Sequence, residues 1–320
     1  AVGEALLALA KPDESGRLKL PLSSSPEIYD NSPRAWLPPN SNYDLSLLRF
    51  IFSANAEMAE SLDRAEDAAK WRAALTRLDA FDIDPATGSL TFARGSPFNE
   101  SHRHFSHAMA IHPLGLIRTE GTGSEPATVR ATIEQIEKMG TRGWCGYSFA
   151  WYSAMCARAG MPERALEYLK KYERGFIGPN GFHLNGDQSG TGLSGFTYRP
   201  FTLEGNFLAM QAVQEMLLQS WGEVGVPKSS IIRIFPAVSE QWKDVSFRDL
   251  RAEGGLRVSA ERKQGRTSRI SIMADHDCTV RVRDPFPGRD PGWRTGPPRK
   301  EGDIYYIELS KGKPFEATAD

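Results

Sequence analysis

The stretch Asn206-Phe-Leu-Ala-Met-Gln-Ala-Val-Gln-Glu-Met-Leu-Leu-Gln-Ser220, followed by Ile231-Ile-Arg-Ile-Phe235, decides the fold, because the hydrophobic rhythm changes between the two. In the first, Phe207, Met210, Val213, Met216 and Leu217 recur at three- and four-residue steps. That is the period of a helix with one buried stripe. Past Gly222 the period becomes that of strands: Ile231–Phe235, Leu256–Val258, Arg269–Ile272, Thr279–Val282 and Asp303–Leu309 are short apolar segments, three of them alternating, with turn residues between them. They predict a small antiparallel β domain over 223–320, of the sandwich type.

Working back toward the N-terminus, the pattern is helical. A helix opens near Asp44, with Leu45, Leu48, Phe52, Ala56 and Ala59 on its stripe. Others are predicted over 64–78 (Ala69, Leu75 and Leu78 inward), 125–139 (Val129, Ile133, Ile136, Met139), 147–159 (Phe149, Tyr152, Ala154, Met155) and 162–172 (Ala165, Leu166, Leu169). Shorter helical segments fit 1–10 and 106–111. Residues 176–202 form a long glycine-rich loop, and such loops inside compact domains are usually functional. Seven or eight helices in hairpin order make 1–222 mainly α, compatible with part of an α/α toroid. No fixed repeat length argues for a regular solenoid.

Composition narrows the functional classes. The 320 residues are 40% hydrophobic and 25% charged, with a formal net charge of -1. No broad basic field exists for nucleic acid or an anionic membrane surface. No run of about 18 apolar residues predicts a spanning helix. Three cysteines, Cys145, Cys156 and Cys278, are widely spaced and odd in number, against a disulfide framework or a cysteine zinc site. The first ten residues lack the basic start of a signal peptide. They read as the tail of a helix without an evident cap, so the chain is expected to begin inside a larger protein.

The chemistry concentrates in residues 98–113, Phe-Asn-Glu-Ser-His-Arg-His-Phe-Ser-His-Ala-Met-Ala-Ile-His-Pro, which hold four of the six histidines. His102, His104 and His107 have H-x-H-x-x-H spacing, which suggests a metal because neutral imidazole is a common ligand. On a helix, however, His102 would point away from the other two, and no carboxylate partner has a recognised spacing. Hydrogen bonding to a sugar, or to the protein core, is the competing reading and the preferred one. Neither a metal nor a cofactor is expected. Glu27, in Ser-Ser-Ser-Pro-Glu, and Glu204, in Pro-Phe-Thr-Leu-Glu-Gly-Asn-Phe, both stand at loop–helix junctions beside apolar residues. A glycosidase needs such a pair, one protonated and one ionised, although a loop glutamate is more often simply solvated. Trp144, Tyr147, Trp151, Phe182, Phe196, Tyr198 and Phe201 could face sugar rings; for Trp151 and Tyr152 core packing is the better reading. There is no phosphate-binding glycine loop, GxGxxG or G-x-S-x-G motif.

Taken in order, Ser25-Pro-Glu27, His102-Arg-His-Phe-Ser-His107, Arg142-Gly-Trp144 with Phe149-Ala-Trp151, Phe201-Thr-Leu-Glu-Gly-Asn-Phe207, Glu215-Met-Leu-Leu-Gln-Ser220, Phe235-Pro-Ala237 and Gly254-Gly255 resemble the C-terminal part of glycoside hydrolase family 95. These are the inverting α-L-fucosidases and related α-L-galactosidases. The resemblance implies a partial (α/α)6 toroid followed by a C-terminal β domain, and a secreted or periplasmic protein acting on an oligosaccharide or polysaccharide. It implies Glu27 as general acid, with His102, His104, His107, Trp144 and Asn206 lining the sugar pocket. Glu204 stands where the family keeps an aspartate that activates water with two upstream asparagines, and Leu208 where a glycine is usual. The extra methylene places the carboxylate about 1.5 Å further out, and a misplacement near 1 Å can lower a rate about a hundredfold. The family's asparagine pair precedes the acid; Asn40-Ser-Asn42 follows it, so its spacing is a coincidence. The missing N-terminal part of the same protein is therefore expected as a partner. Two alternatives stay open: a carbohydrate-binding pseudo-enzyme, and a metal-dependent hydrolase built on the histidines.

Overall fold

The computed structural model describes residues 1–319, so Asp320, the last residue of the expected β domain, lies outside the described residues. Seven α-helices come first: α1 (Val2–Leu9), α2 (Asn42–Ser61), α3 (Ala65–Thr76), α4 (Glu125–Met139), α5 (Gly146–Arg158), α6 (Pro162–Phe176) and α7 (Glu204–Leu217). A two-residue ribbon, β1 (Lys11–Pro12) with β2 (Leu18–Lys19), follows α1.

Sequence explains the helix starts. Ser41 caps α2 by accepting from the Asp44 amide while Asp44 reaches back to the Ser41 amide, a reciprocal box. Proline stands in the first turn of α4 and of α6, where its missing N–H has no partner to lose. Of the residues expected inward over 64–78, Leu78 is buried and Leu75 partly buried, but Ala69 is exposed, and Ala68, Trp71 and Ala74 fill the inner face of α3 instead. Trp71 accounts for this, since its ring packs on Phe52 of α2 at 5.5 Å and fixes the rotation of the helix. The histidine stretch forms only a single 3-10 turn, Ser106–Ala108.

The helices gather into two apolar clusters. One joins α1, α2 and α3 through Leu45, Leu48, Phe52, Trp71 and Leu78. The larger one is centred on α5, whose residues Ser148 to Ala157 are all buried, with α6, α4 and the loops before them packed around it. A helix apolar on every side belongs in the middle of a fold. The helix α7 departs from its predicted stripe. Met216 and Leu217 are buried, but Phe207 is 59% and Met210 67% exposed. It also ends at Leu217, and the chain passes straight into a strand.

Among the described residues ten strands follow in two five-stranded sheets. One has the order β10 (Arg299–Glu301), β11 (Ile304–Leu309), β8 (Cys278–Arg283), β4 (Ile231–Ile234), β3 (Leu218–Trp221). The other has the order β5 (Val245–Ala252), β6 (Leu256–Lys263), β7 (Arg266–Ala274), β12 (Phe315–Thr318), β9 (Gly292–Trp293). Both contribute to one core that includes Ile232, Val282, Ile307, Val258, Ile272 and Ala317. The pairing is antiparallel except between β4 and β8, which run parallel. The strand β5 is an edge carrying Arg248, Asp249 and Arg251 with a bulge between Phe247 and Leu250, devices that blunt an edge and also disguise it in sequence. The first of these sheets meets the helical part through Glu120, in the loop before α4, which accepts from Arg233 at 2.8 Å and also from Arg283, and through Trp221, with the guanidinium groups of Arg158 and Arg233 over its ring.

Candidate active site

Glu27 is placed by a loop that serines tie down. Ser23 Oγ accepts from the Ser41 amide, Ser24 Oγ donates to the Ala35 carbonyl, and Ser25 Oγ meets Ser106 Oγ at 2.5 Å. Ile28, fully buried, anchors the next position. Glu27, Tyr29, Asp30 and Asn31 have φ between 48° and 55°, the left-handed region. Non-glycine residues there cost about 1–2 kcal/mol each, and such strain gathers at functional sites. The strain turns the Glu27 side chain, 47% exposed, onto the histidine stretch.

The stretch holds Glu27 at both ends. His102 Nδ1 accepts from the His104 amide at 3.1 Å, so its proton is on Nε2, which lies 3.2 Å from the Glu27 carbonyl oxygen. His104 Nε2 lies 2.8 Å from Glu27 Oε2, and the Arg103 guanidinium reaches the same oxygen through two nitrogens. Glu27 Oε1 has no hydrogen-bond partner among the described residues. The hydrogen bond from His104 is the main cause that holds the Glu27 carboxyl below the usual carboxylate range; Arg103 adds to it, and burial opposes both. Burial also lowers His104, so its ring is neutral near pH 7 and donates from Nε2. A general acid needs the opposite setting, a carboxyl held protonated.

The other predicted histidine and tryptophan lie elsewhere. His107 is buried, with its ring stacked on Phe98 at 4.4 Å and neither ring nitrogen hydrogen-bonded. Burial pushes it down to about 3. Trp144 is fully buried among Phe105, Phe149, Tyr152 and Tyr168. The structure therefore brings His102 and His104 to Glu27 and leaves the His107 and Trp144 rings in the core behind them. Trp151 and Tyr152 are core residues as read from sequence. Asn40 and Asn42 are loop staples: Asn40 bonds backbone at Leu18 and Leu20, Asn42 at Asp82 and Thr91. Among the described residues no three His, Cys, Asp or Glu side chains converge as a metal-binding set.

Glu204 is the first residue of α7 and is exposed, with no ion pair among the described residues. Asn206, two residues further in the first turn, has its side chain engaged: Oδ1 accepts from the His183 amide at 2.7 Å and Nδ2 donates to the Gly181 carbonyl at 3.0 Å. Burial, then the charge of Glu204, raises the Tyr147 phenol. Burial raises Tyr198 too, and it feels Arg103 and Glu27 as well. Both tyrosines also sense Cys145, the residue that opens α5.

The glycine-rich loop runs between these points. Its two limbs pair as Asp187 N to Phe196 O, Gly186 N to Tyr198 O and Asn185 N to Pro200 O, at 2.8–3.1 Å. Asp187 closes the tip by accepting from the Ser189 amide and hydroxyl and from the Leu193 amide at 2.6–2.8 Å. Arg103 lies over the Phe196 ring at 5.7 Å, while Phe182 and Phe201, both exposed, pack together at 5.0 Å beside α7. Sequence had Tyr147 and Tyr198 only as aromatic candidates, and the loop as functional from its length alone. It gave Arg103 no role, although its place between His102 and His104 was a signal.

The helical part thus presents a strained loop with a cation-held glutamate, a second exposed glutamate at a helix start and an aromatic glycine-rich loop. The match to the glycosyl hydrolase family 95 catalytic domain covers residues 5–217, and the chain belongs to that family. Among named relatives it is similar to Alpha-L-fucosidase 2 of Arabidopsis thaliana, 25% identical over 277 residues. The alignment takes in 84% of this chain and 31% of that relative, so the chain spans about a third of the relative's length.

Proposed function

We infer that this chain supplies the C-terminal part of a glycoside hydrolase that cleaves an α-L-fucoside or a related L-sugar with inversion. In this reading Glu27 gives its proton to the leaving oxygen, and Glu204 takes a proton from the water that attacks from the opposite face. His102 and His104 hold Glu27 and the sugar, and Asn206 steadies the first turn behind Glu204. Residues 1–222 contribute helical hairpins to an (α/α)6 toroid, 223–320 form its C-terminal β-sandwich, and the N-terminal part of the same protein completes the site. The protein works outside the cytoplasm, secreted or periplasmic, on an oligosaccharide or polysaccharide. His107 and Trp144 support the pocket wall from behind.

The observation that carries the reading is the Glu27–Arg103–His104 cluster, in which an exposed glutamate on strained backbone is held by two partly buried side chains, in a family 95 chain. Its electrostatics set the condition of use: with the carboxyl held low, the protonated acid is abundant only in acidic solution. The test is hydrolysis of a nitrophenyl α-L-fucoside by the full-length protein, followed by NMR of the first-formed sugar. β-L-fucose supports inversion; α-L-fucose sinks the two-carboxylate inverting assignment.

The low setting of Glu27 and the longer side chain at 204 also favour a second reading, a protein that binds carbohydrate without hydrolysing it. Calorimetric binding of L-fucose by the full-length protein, with no turnover of any aryl L-glycoside between pH 4 and 8, selects that reading.

A further inference from the structure

His183, buried at the base of the glycine-rich loop, is used by none of the steps above. Its ring fills a notch between two helix starts. A methyl group on Gly146, the first residue of α5, would lie 2.1 Å from His183 Nε2. One on Gly205, the second residue of α7, would lie 2.4 Å from Nδ1. Tyr172 of α6 stacks against the ring with centroids 5.5 Å apart at 24°. The imidazole is thus a spacer whose thickness sets how closely α5 and α7 approach, and only glycine on each helix leaves room for it.

The same residue grips the chain on both sides of Glu204. Nδ1 lies 2.7 Å from the carbonyl oxygen of Thr202, two residues before Glu204, and 2.7 Å from the Thr202 hydroxyl oxygen. The carbonyl only accepts and the hydroxyl can accept, so a proton on Nδ1 serves both and holds the ring in one tautomer. The backbone amide of His183 donates to Asn206 Oδ1 at 2.7 Å, two residues after Glu204. Both the approach to α7 and its first turn are therefore fixed to a single residue that does not touch the open surface.

We propose that His183 is a positioning residue for Glu204, setting where its carboxylate stands through the Nδ1–H bond to Thr202 and the ring wedged between Gly146 and Gly205. This rests on the reading of Glu204 as the group that activates water. The effect falls on the step in which water attacks and leaves sugar binding alone.

The experiment is steady-state kinetics of the full-length protein on a nitrophenyl α-L-fucoside. His183→Phe keeps a ring in the notch and has no donor; His183→Asn has a donor near the place of Nδ1 and no ring. His183→Phe is expected to lower kcat by about a hundredfold, the scale of a 1 Å misplacement, with KM within about threefold of wild type. His183→Asn is expected to recover about tenfold of that loss, since it restores the bond to Thr202. An unchanged kcat in His183→Phe, or kcat equal in the Phe and Asn variants and falling only as Tm falls, overturns the inference. If the Phe variant does not fold, Asn is compared with Gln, whose amide reaches toward Nε2; equal kcat in those two overturns it as well. Glu204→Gln is run alongside. Full rate there removes the reading on which the inference rests, whereas a dead Glu204→Gln beside a normal His183→Phe overturns only the role of His183.

Discussion

Two glutamates in this chain each stand beside an arginine and a histidine, and the second, Glu215, also accepts from Gln211 at 3.4 Å. Glu27 is held by Arg103 and His104; Glu215 has Arg158, with Nε 2.9 Å from its Oε2, and His112, whose Nε2 lies 3.7 Å from its Oε1. The side chain of the first is 47% exposed and that of the second 5%. Arg158 bonds both oxygens of Glu215, while both nitrogens of Arg103 go to one oxygen of Glu27 and leave the other open. The same residue types thus make a buried rivet in one place and, in the proposed function, a working group in the other. Burial and the unfilled acceptor separate them, and neither is visible in the list of partners.

The sharpest way to break the comparison is to remove each acid. In the full-length protein, Glu27→Gln is expected to lower turnover of glycosides with poor leaving groups by about 10²–10⁴-fold, the usual worth of a general acid. Near-wild-type turnover there would move the acid role elsewhere. Glu215→Ala is expected to leave the site chemistry alone and cost about 3–5 kcal/mol of stability, because it strands Arg158 in the interior; denaturant unfolding measures it. A loss below about 1 kcal/mol would mean that Glu215 is no rivet.

Acid separates the two next. Burial alone would raise the Glu215 carboxyl, but His112 and Arg158 outweigh it and hold it at about 2, against an ordinary value of 4.5. A carboxyl whose folded value is depressed stabilises the fold fully above its unfolded value, and that stabilisation disappears as pH falls toward the folded value. Stability should therefore drop between about pH 4.5 and 2, and Glu215→Gln should flatten that part of the curve. For Glu27 the readout is the rate. Arg103→Ala removes one of the groups holding the carboxyl down, so its protonated form persists to higher pH. The alkaline limb of kcat/KM should move upward, and a limb that stays in place would detach it from Glu27. The smallest effect is on stability at Glu27: Glu27→Ala should change unfolding free energy by no more than about 1 kcal/mol, as for exposed ion pairs.

How much of this could be read beforehand follows from the same contrast. Periodicity located α4 and α5 because their apolar residues do face a core. It misplaced the stripe of α7, since Phe207 and Met210 have the right spacing and an outward face; spacing reports amphipathicity without saying what covers it. The strand β5 escaped because its charges are edge devices. At the site, Glu27, His102 and His104 were legible through motif order, and the structure joins them. His107 and Trp144 belong to the same motifs, yet their rings turn inward, and side-chain direction in an irregular segment has no sequence period to betray it. His183 was invisible for a different reason: its role is steric, written in two glycines that are 59 residues apart.

The knot at Asp187 has a calorimetric consequence. Because its carboxylate already gathers Ser189 and Leu193, the loop tip lost its backbone freedom when the chain folded. A saccharide that settles against the loop meets an ordered surface. The heat capacity of binding should then match the apolar area covered by the sugar alone, without the larger change that accompanies coupled folding.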